Sequence, residues 1–215
     1  MCGFCSSHRS YAGAASLSLV LAFRDAFARH SWVAPVVLAV VALVFDALNR
    51  LIPYGVIRTG PVDEVSHLAT AALGLLVLDC FVDLPRRTWV AALVASVAID
   101  LDHIPSYLWA GPEASRPVTH SMASVVVVLL AAWLIPRYRA VLVGVAIGLV
   151  LHFARDITEG VPGVRVLWPL RQDSWTGNRI EFIAIVLALL AVRLTWTALG
   201  RTSRRAPVGV GASRP

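Results

Sequence analysis

The chain has 215 residues, 58% of them hydrophobic and only 15% charged, where soluble domains average about 45–50% and 25%. That balance excludes an ordinary soluble domain and points to the multi-span membrane class. The net charge of +6 comes from 19 basic residues, all of them Arg, scattered between apolar runs without an aromatic-interleaved basic stripe, so no nucleic-acid partner is expected.

Residues 1–31 read as an N-terminal tail. Cys2 and Cys5 form C-x-x-C with His8 close behind, yet no second C-x-x-C exists to complete a zinc site. The apolar run 11–23, between Arg9 and Arg24, suits an interfacial amphipathic helix. A signal peptide is the competing reading, with Arg9 as its charged region and Ala26-Phe27-Ala28 as a small-residue cleavage site. Arg24 and Asp25 interrupt the run before that site and weigh against it.

Residues 32–200 form the predicted integral membrane domain. A bilayer-crossing helix needs about 20 mainly apolar residues, and six stretches come close: roughly 32–52, 68–84, 88–104, 120–136, 139–157 and 180–199. The expected fold is therefore all-α, a polytopic helical membrane bundle of about six transmembrane helices. Cys80 falls in an apolar run and reads as core. Residues 201–215 read as an Arg-rich disordered C-terminal tail.

Six spans place both termini on one face with the turns at Arg86-Arg87 and Arg137-Tyr138-Arg139. The other face keeps Arg58, Arg116, Arg165, Arg171 and Arg179. The first face is the richer in Arg, so the positive-inside rule makes it cytoplasmic. Under this topology every candidate metal ligand falls on the opposite, outer side. His67 opens the second span there, Asp100-Leu101-Asp102-His103 close the third, His120 opens the fourth, and His152 and Asp156 close the fifth.

Ionisable groups are normally excluded from spans, so such agreement marks a functional site. His152 and Asp156, four apart, share one helix face; Asp100 and His103, three apart, do likewise. Pro105 would end the third helix and let Asp102 turn inward. Imidazole with carboxylate and no thiolate suits zinc first, and manganese or iron as well, in an open site. Seven candidates over-supply one ion, which favours more than one divalent ion and phosphoester hydrolysis by metal-activated water. Arg116 is placed as a phosphate clamp, and Asp102 and Asp156 as the carboxylates nearest the chemistry. Each position also has a plainer reading: His67 as interfacial decoration, Asp100 and Asp102 as helix-end caps, Thr119 as an N-cap, His152 and Asp156 as part of a proton path. Arg155 points off the ligand face and reads as a structural pair. Glu181, at the start of the sixth span, is a further candidate for the site. Asp79 and Asp83 read as partners of Arg86 or Arg87.

The ordered set His67…Asp100-Leu101-Asp102-His103…Arg116-x-x-Thr119-His120-Ser121…His152-x-x-x-Asp156-x-Thr158-x-Gly160…Leu167-Trp168-Pro169 resembles the YdjM family of inner-membrane, metal-dependent hydrolases. The resemblance covers about residues 65 to 170. The family is distantly similar to zinc-dependent phospholipases C and single-strand-specific zinc nucleases. It implies His67, Asp100, His120, His152 and Asp156 as ligands, with Asp102 and His103 beside them. One position departs: many members carry His before the loop arginine, and here Ser115 precedes Arg116. The resulting expectation is a multi-pass hydrolase of a bacterial inner membrane, with both termini cytoplasmic and the site facing outside. Its expected substrate is a phosphorylated lipid or envelope small molecule. A transporter using the His/Asp cluster, or a membrane scaffold with a structural metal, are the alternatives.

Overall fold

The computed structural model describes residues 31–52, 56–104, 117–159 and 163–205, so the Cys2/Cys5/His8 motif, the 11–23 run and Arg116 lie outside the described residues. Six main helices follow one another: α1 Val33–Leu51, α2 Val56–Phe81, α3 Arg86–Ala98, α4 Met122–Leu134, α5 Arg139–Glu159 and α6 Arg179–Arg205. Short 3-10 turns extend α3 through Ile99–Asp102 and precede α5 at Pro136–Tyr138. The only β pairing among the described residues is an isolated bridge between Val164 and Trp175.

The expected all-α class is observed, and the expected six crossings are observed only in part. Four segments are long and apolar enough to cross a membrane: Val33–Leu51, Gly60–Phe81, Pro136–Glu159 and Arg179–Leu199. Helices α3 and α4 have 13 residues each, about 20 Å of rise against a hydrocarbon core of about 30 Å. Both stop where the chain turns into the polar site. A second difference concerns α2, expected from residue 68, which begins at Val56. His67 is therefore embedded in a helix and does not open one. The polar first turns of α2 hid this, because an apolar-run reading starts only where polarity ends. Helix α6 also runs five residues past the boundary drawn at 200.

Local chemistry explains the helix limits. Thr88 and Trp89 donate their amides to the Pro85 carbonyl as α3 begins. Asp79 accepts the Leu84 amide and closes the turn after α2, so its role is a backbone cap and not the Arg86/Arg87 pairing expected. At α6, Asn178 Oδ1 accepts the Ile180 and Glu181 amides. Glu181 Oε2 returns the bond to the Asn178 amide, a reciprocal capping arrangement.

Helix α5 is the hub: α3 and α4 both pack on it, as does α2, which in turn carries α1 and α6. Small residues allow the close approaches. A Cβ at Gly144 would overlap the Thr88 carbonyl oxygen, and one at Gly148 the Ala92 carbonyl oxygen. This small-xxx-small seam brings the α3 and α5 backbones nearly into contact, as membrane helices do when dispersion and not water exclusion holds them. Ala39, Ala42, Ala69 and Ala72 serve the α1–α2 junction in the same way, with Leu38, Leu73, Phe182 and Val186 filling between α1, α2 and α6. The outer surface is apolar: Val40 on α1, Val127 and Trp133 on α4, and Leu187 on α6 are all exposed. In water this would be an aggregating patch; against lipid it is the expected face.

Candidate metal centre

The C-terminal ends of α1, α3 and α5 meet the N-terminal ends of α2 and α4 at one end of the bundle. There the ligand-type side chains converge. On α5, His152 and Asp156 lie one turn apart as their spacing predicts, with His152 Nε2 3.0 Å from Asp156 Oδ2. From α2, His67 places Nε2 3.2 Å from Asp156 Oδ1, and its ring stacks on that of His152 at 3.9 Å. The turn after α3 brings Asp100 Oδ1 within 3.2 Å of His103 Nδ1, 3.1 Å of His120 Nε2 and 3.4 Å of His152 Nε2. Asp102 completes the rim, 3.4 Å from His103 Nδ1 through Oδ1 and 3.4 Å from His120 Nδ1 through Oδ2. Thr119 donates its hydroxyl to Asp102 Oδ2, so its side chain serves the site and Ser121 takes the N-cap position of α4.

All seven expected ligands thus come together from four segments. Ligand atoms lie within 4.8 Å of one another in three overlapping sets: Asp100, His120, His152 and Asp156; Asp102, His103 and His120; and Asp63, His67 and Asp100. Asp100 and His120 each belong to two sets. The side chains of His67, His120, His152 and Asp156 are fully buried, whereas Asp100, Asp102 and His103 keep 19%, 25% and 14% of their surface. The centre therefore opens on the side of Asp100, Asp102 and His103.

Two residues of this region were missed from sequence, Asp63 and Glu64. Asp63 stands one turn before His67 on α2, with Oδ2 3.7 Å from His67 Nε2. Its i, i+4 relation to His67 repeats the His152/Asp156 pattern in reverse order, a signal present in the sequence but lost once α2 was drawn from residue 68. Glu64 lies against Asp100, with Oε2 buried and lacking a hydrogen bond.

The donor set fits a divalent cation. Both nitrogens of His67, His152 Nε2 and His120 Nδ1 are buried without an aligned hydrogen bond; three of the four face carboxylate oxygens at 3.0–3.4 Å, and His67 Nδ1 lacks even that, an arrangement that costs free energy unless another partner is present. Three imidazole nitrogens converge on one oxygen of Asp100, more than hydrogen bonding alone can serve. His152 Nδ1 lies 2.8 Å from the Ser96 carbonyl; as the donor there, it leaves the Nε2 lone pair directed at the cluster, the usual arrangement of a ligating histidine.

Beside the centre lies an ion-pair network. Arg155 is 1% exposed, with Nη2 2.5 Å from Asp63 Oδ1 and 3.6 Å from Asp46 Oδ1, and Nη1 3.4 Å from Glu159 Oε1. It is the structural pair expected, and it also orients Asp63, which Asn49 holds from the other side at 3.0 Å. Glu181 is outside the cluster, spent on its helix cap. Cys80 is half-buried on α2, its thiol donated to the Leu76 carbonyl, and contributes no thiolate ligand.

No curated protein and no solved structure matches the chain. The family model described as YdjM inner membrane protein matches residues 62–212, a stretch holding every ligand of the cluster. On that match the chain belongs to the YdjM inner membrane protein family.

Proposed function

We propose that the protein is a membrane-bound, metal-dependent hydrolase that cleaves a phosphoester of a lipid or cell-envelope substrate. The observation that carries this reading is the overlap of three ligand sets through Asp100 and His120. A closed structural zinc site uses four ligands and shares none, whereas adjacent sites with common carboxylates suit more than one ion, zinc first and manganese second. Divalent ions so held supply Lewis acidity toward water and toward phosphoryl oxygens.

The chain's own residues then have definable roles. His152, fixed by Ser96, and Asp156, between His67 and His152, form the buried floor that would hold the ions. Asp102 is the most exposed carboxylate of the set, and its Oδ2 already accepts the Thr119 hydroxyl. It is placed to take the proton of the attacking water as the new P–O bond forms; the leaving alcohol takes a proton as the ester P–O bond breaks. Arg116, three residues before Thr119 in the sequence, is assigned to hold the phosphoryl oxygens.

The proposed topology puts both termini in the cytoplasm and the site at the outer headgroup level of a bacterial inner membrane. It is supported by the Arg pairs 86/87 and 137/139 at the bundle end opposite the cluster. An ion-transport role draws less support, because the buried positions below the cluster on α2 and α5 include Leu73, Leu75, Ala146 and Leu149. The deciding experiment is metal content by elemental mass spectrometry on detergent-purified wild type, His152→Ala and Asp156→Ala, followed by a phosphoester screen. Stoichiometric metal lost in both variants, with metal-dependent turnover by wild type, is the expected result. Wild type that stays metal-free when metal is supplied refutes the proposal.

A further inference from the structure

Helices α3 and α4 both pack on α5 with little direct contact between them, and the gap is a cavity of about 920 Å³. Its walls are apolar along nearly their whole length, from Val90 and Val94 on α3 to Val128 on α4 and Val145 on α5. One end reaches Arg86 and Arg87; the other reaches Ile99 and Thr119. Ile99 immediately precedes Asp100, and Thr119 is the residue whose hydroxyl bonds Asp102. The groove therefore ends beside Asp102, on the side where the candidate centre is open, and none of the ligand side chains lines it. Along α3 it extends over 13 residue steps from Arg86 to Ile99, roughly 20 Å, longer than one leaflet's hydrocarbon of about 15 Å.

We propose that this groove holds the hydrocarbon tail of the substrate, which makes the substrate a phosphorylated membrane lipid that enters sideways from the bilayer. The proposal rests on the hydrolase reading for what happens at the headgroup and on the groove itself for the tail. A polar mouth joined to an apolar trough matches an amphiphile with its phosphoester at Thr119 and its chain toward Arg86. Because the tail is equally apolar in lipid and in the groove, the gain is orientation and not hydrophobic burial. A chain laid along α3 presents the phosphoester to one edge of the cluster and converts a tumbling encounter into a positioned one. A soluble phosphoester would need no such trough, and its site would open to water.

The test uses the full-length protein in phosphatidylcholine nanodiscs containing a trace of phosphatidic acid with a photoreactive diazirine in one acyl chain. A diacylglycerol carrying the same chain serves as the phosphate-free probe. Cross-linked peptides are mapped by mass spectrometry. The phosphatidic acid probe is expected to label Val90 and Val128 in preference to Val127, which is 64% exposed on α4 and outside the groove. The diacylglycerol probe should show no such preference. Val94→Trp fills the groove from a position 59% exposed, so it should fold, keep its metal and lose the preference; Val127→Trp should keep both. Equal labelling of groove and outer face by both probes would mean ordinary boundary lipid and overturn the proposal. So would cross-links showing the groove covered by residues 1–30. The two readings fail separately: groove labelling in a metal-free protein removes the hydrolase and leaves the lipid site. Metal-dependent hydrolysis of a water-soluble phosphoester without groove labelling does the reverse.

Discussion

Replacing Gly148 with Ala tests whether the metal centre depends on the close α3–α5 seam. The added Cβ would sit 3.0 Å from the Ala92 carbonyl carbon and 3.0 Å from the Ala95 Cβ, and overlap the Ala92 carbonyl oxygen. These neighbours are backbone or a methyl group on a packed helix, so no flexible side chain can yield. Carbon atoms settle near 3.5–4.0 Å, so α3 must move away by about 1 Å. Ala92 lies one turn before Ser96 on α3, and Gly148 one turn before His152 on α5. The shift therefore lands on the 2.8 Å bond from His152 Nδ1 to the Ser96 carbonyl and the 3.4 Å approach of His152 Nε2 to Asp100. Ligand distances tolerate only about 0.2 Å. Loss of the partner that orients a ligating histidine typically weakens metal binding about 10–100-fold, and overpacking costs about 1–3 kcal/mol of stability. Competition against a fluorescent zinc chelator would measure the first effect, and thermal unfolding in detergent the second. Gly60→Ala, with nothing within 4 Å of the new Cβ, is the neutral control. Wild-type metal affinity in Gly148→Ala would show that the seam does not hold Asp100 against His152, and would refute the reasoning.

Three further outcomes follow from the geometry. Arg155→Met should destabilise the protein, by at most about 3 kcal/mol, since Asp46, Asp63 and Glu159 lose the buried cation they share but Asp46 and Asp63 keep other partners; unfolding by thermal or denaturant scan checks this, and an unchanged midpoint counts against the network. Asn178→Ala should cost about 1 kcal/mol through the lost α6 cap, and Glu181→Ala should leave metal content at the wild-type value; metal loss in the second variant would make Glu181 a ligand after all. Metal retention after dialysis should fall as the pH is lowered, because protons compete with the ion for the imidazole nitrogens and carboxylates; retention by the folded protein that does not depend on pH would argue against ligation by these side chains.

Much of the centre was legible in the chain because its chemistry is carried by spacing. His152 and Asp156 had to share a helix face, and Asp100 and His103 another. The agreement of four segments on one membrane side needed only the alternation of spans. Asp63 and Glu64 escaped because hydropathy finds where a helix becomes apolar and not where it begins, and α2 starts with polar turns. Asp79 and Glu181 were assigned to pairing and to the site because a carboxylate near a helix end reads alike from sequence whether it serves a cap or a cluster. The expected six crossings are met only in part for a related reason: four segments are long and apolar enough, while α3 and α4 have 13 residues each because the chain bends into the ligand turns after α3 and before α4.

The sequence alone determined the class of molecule and the donor types, because composition and periodicity are local properties that a bilayer filters strongly. The tertiary structure decided which carboxylate faces which imidazole, that Asp100 and His120 are shared between ligand sets, and that an apolar groove ends at Thr119 beside the centre. Those are relations between residues far apart in the chain, such as His67 and Asp156. They are set by how α3 and α4 dock on α5, and docking depends on packing of whole helix faces that no short stretch of sequence contains.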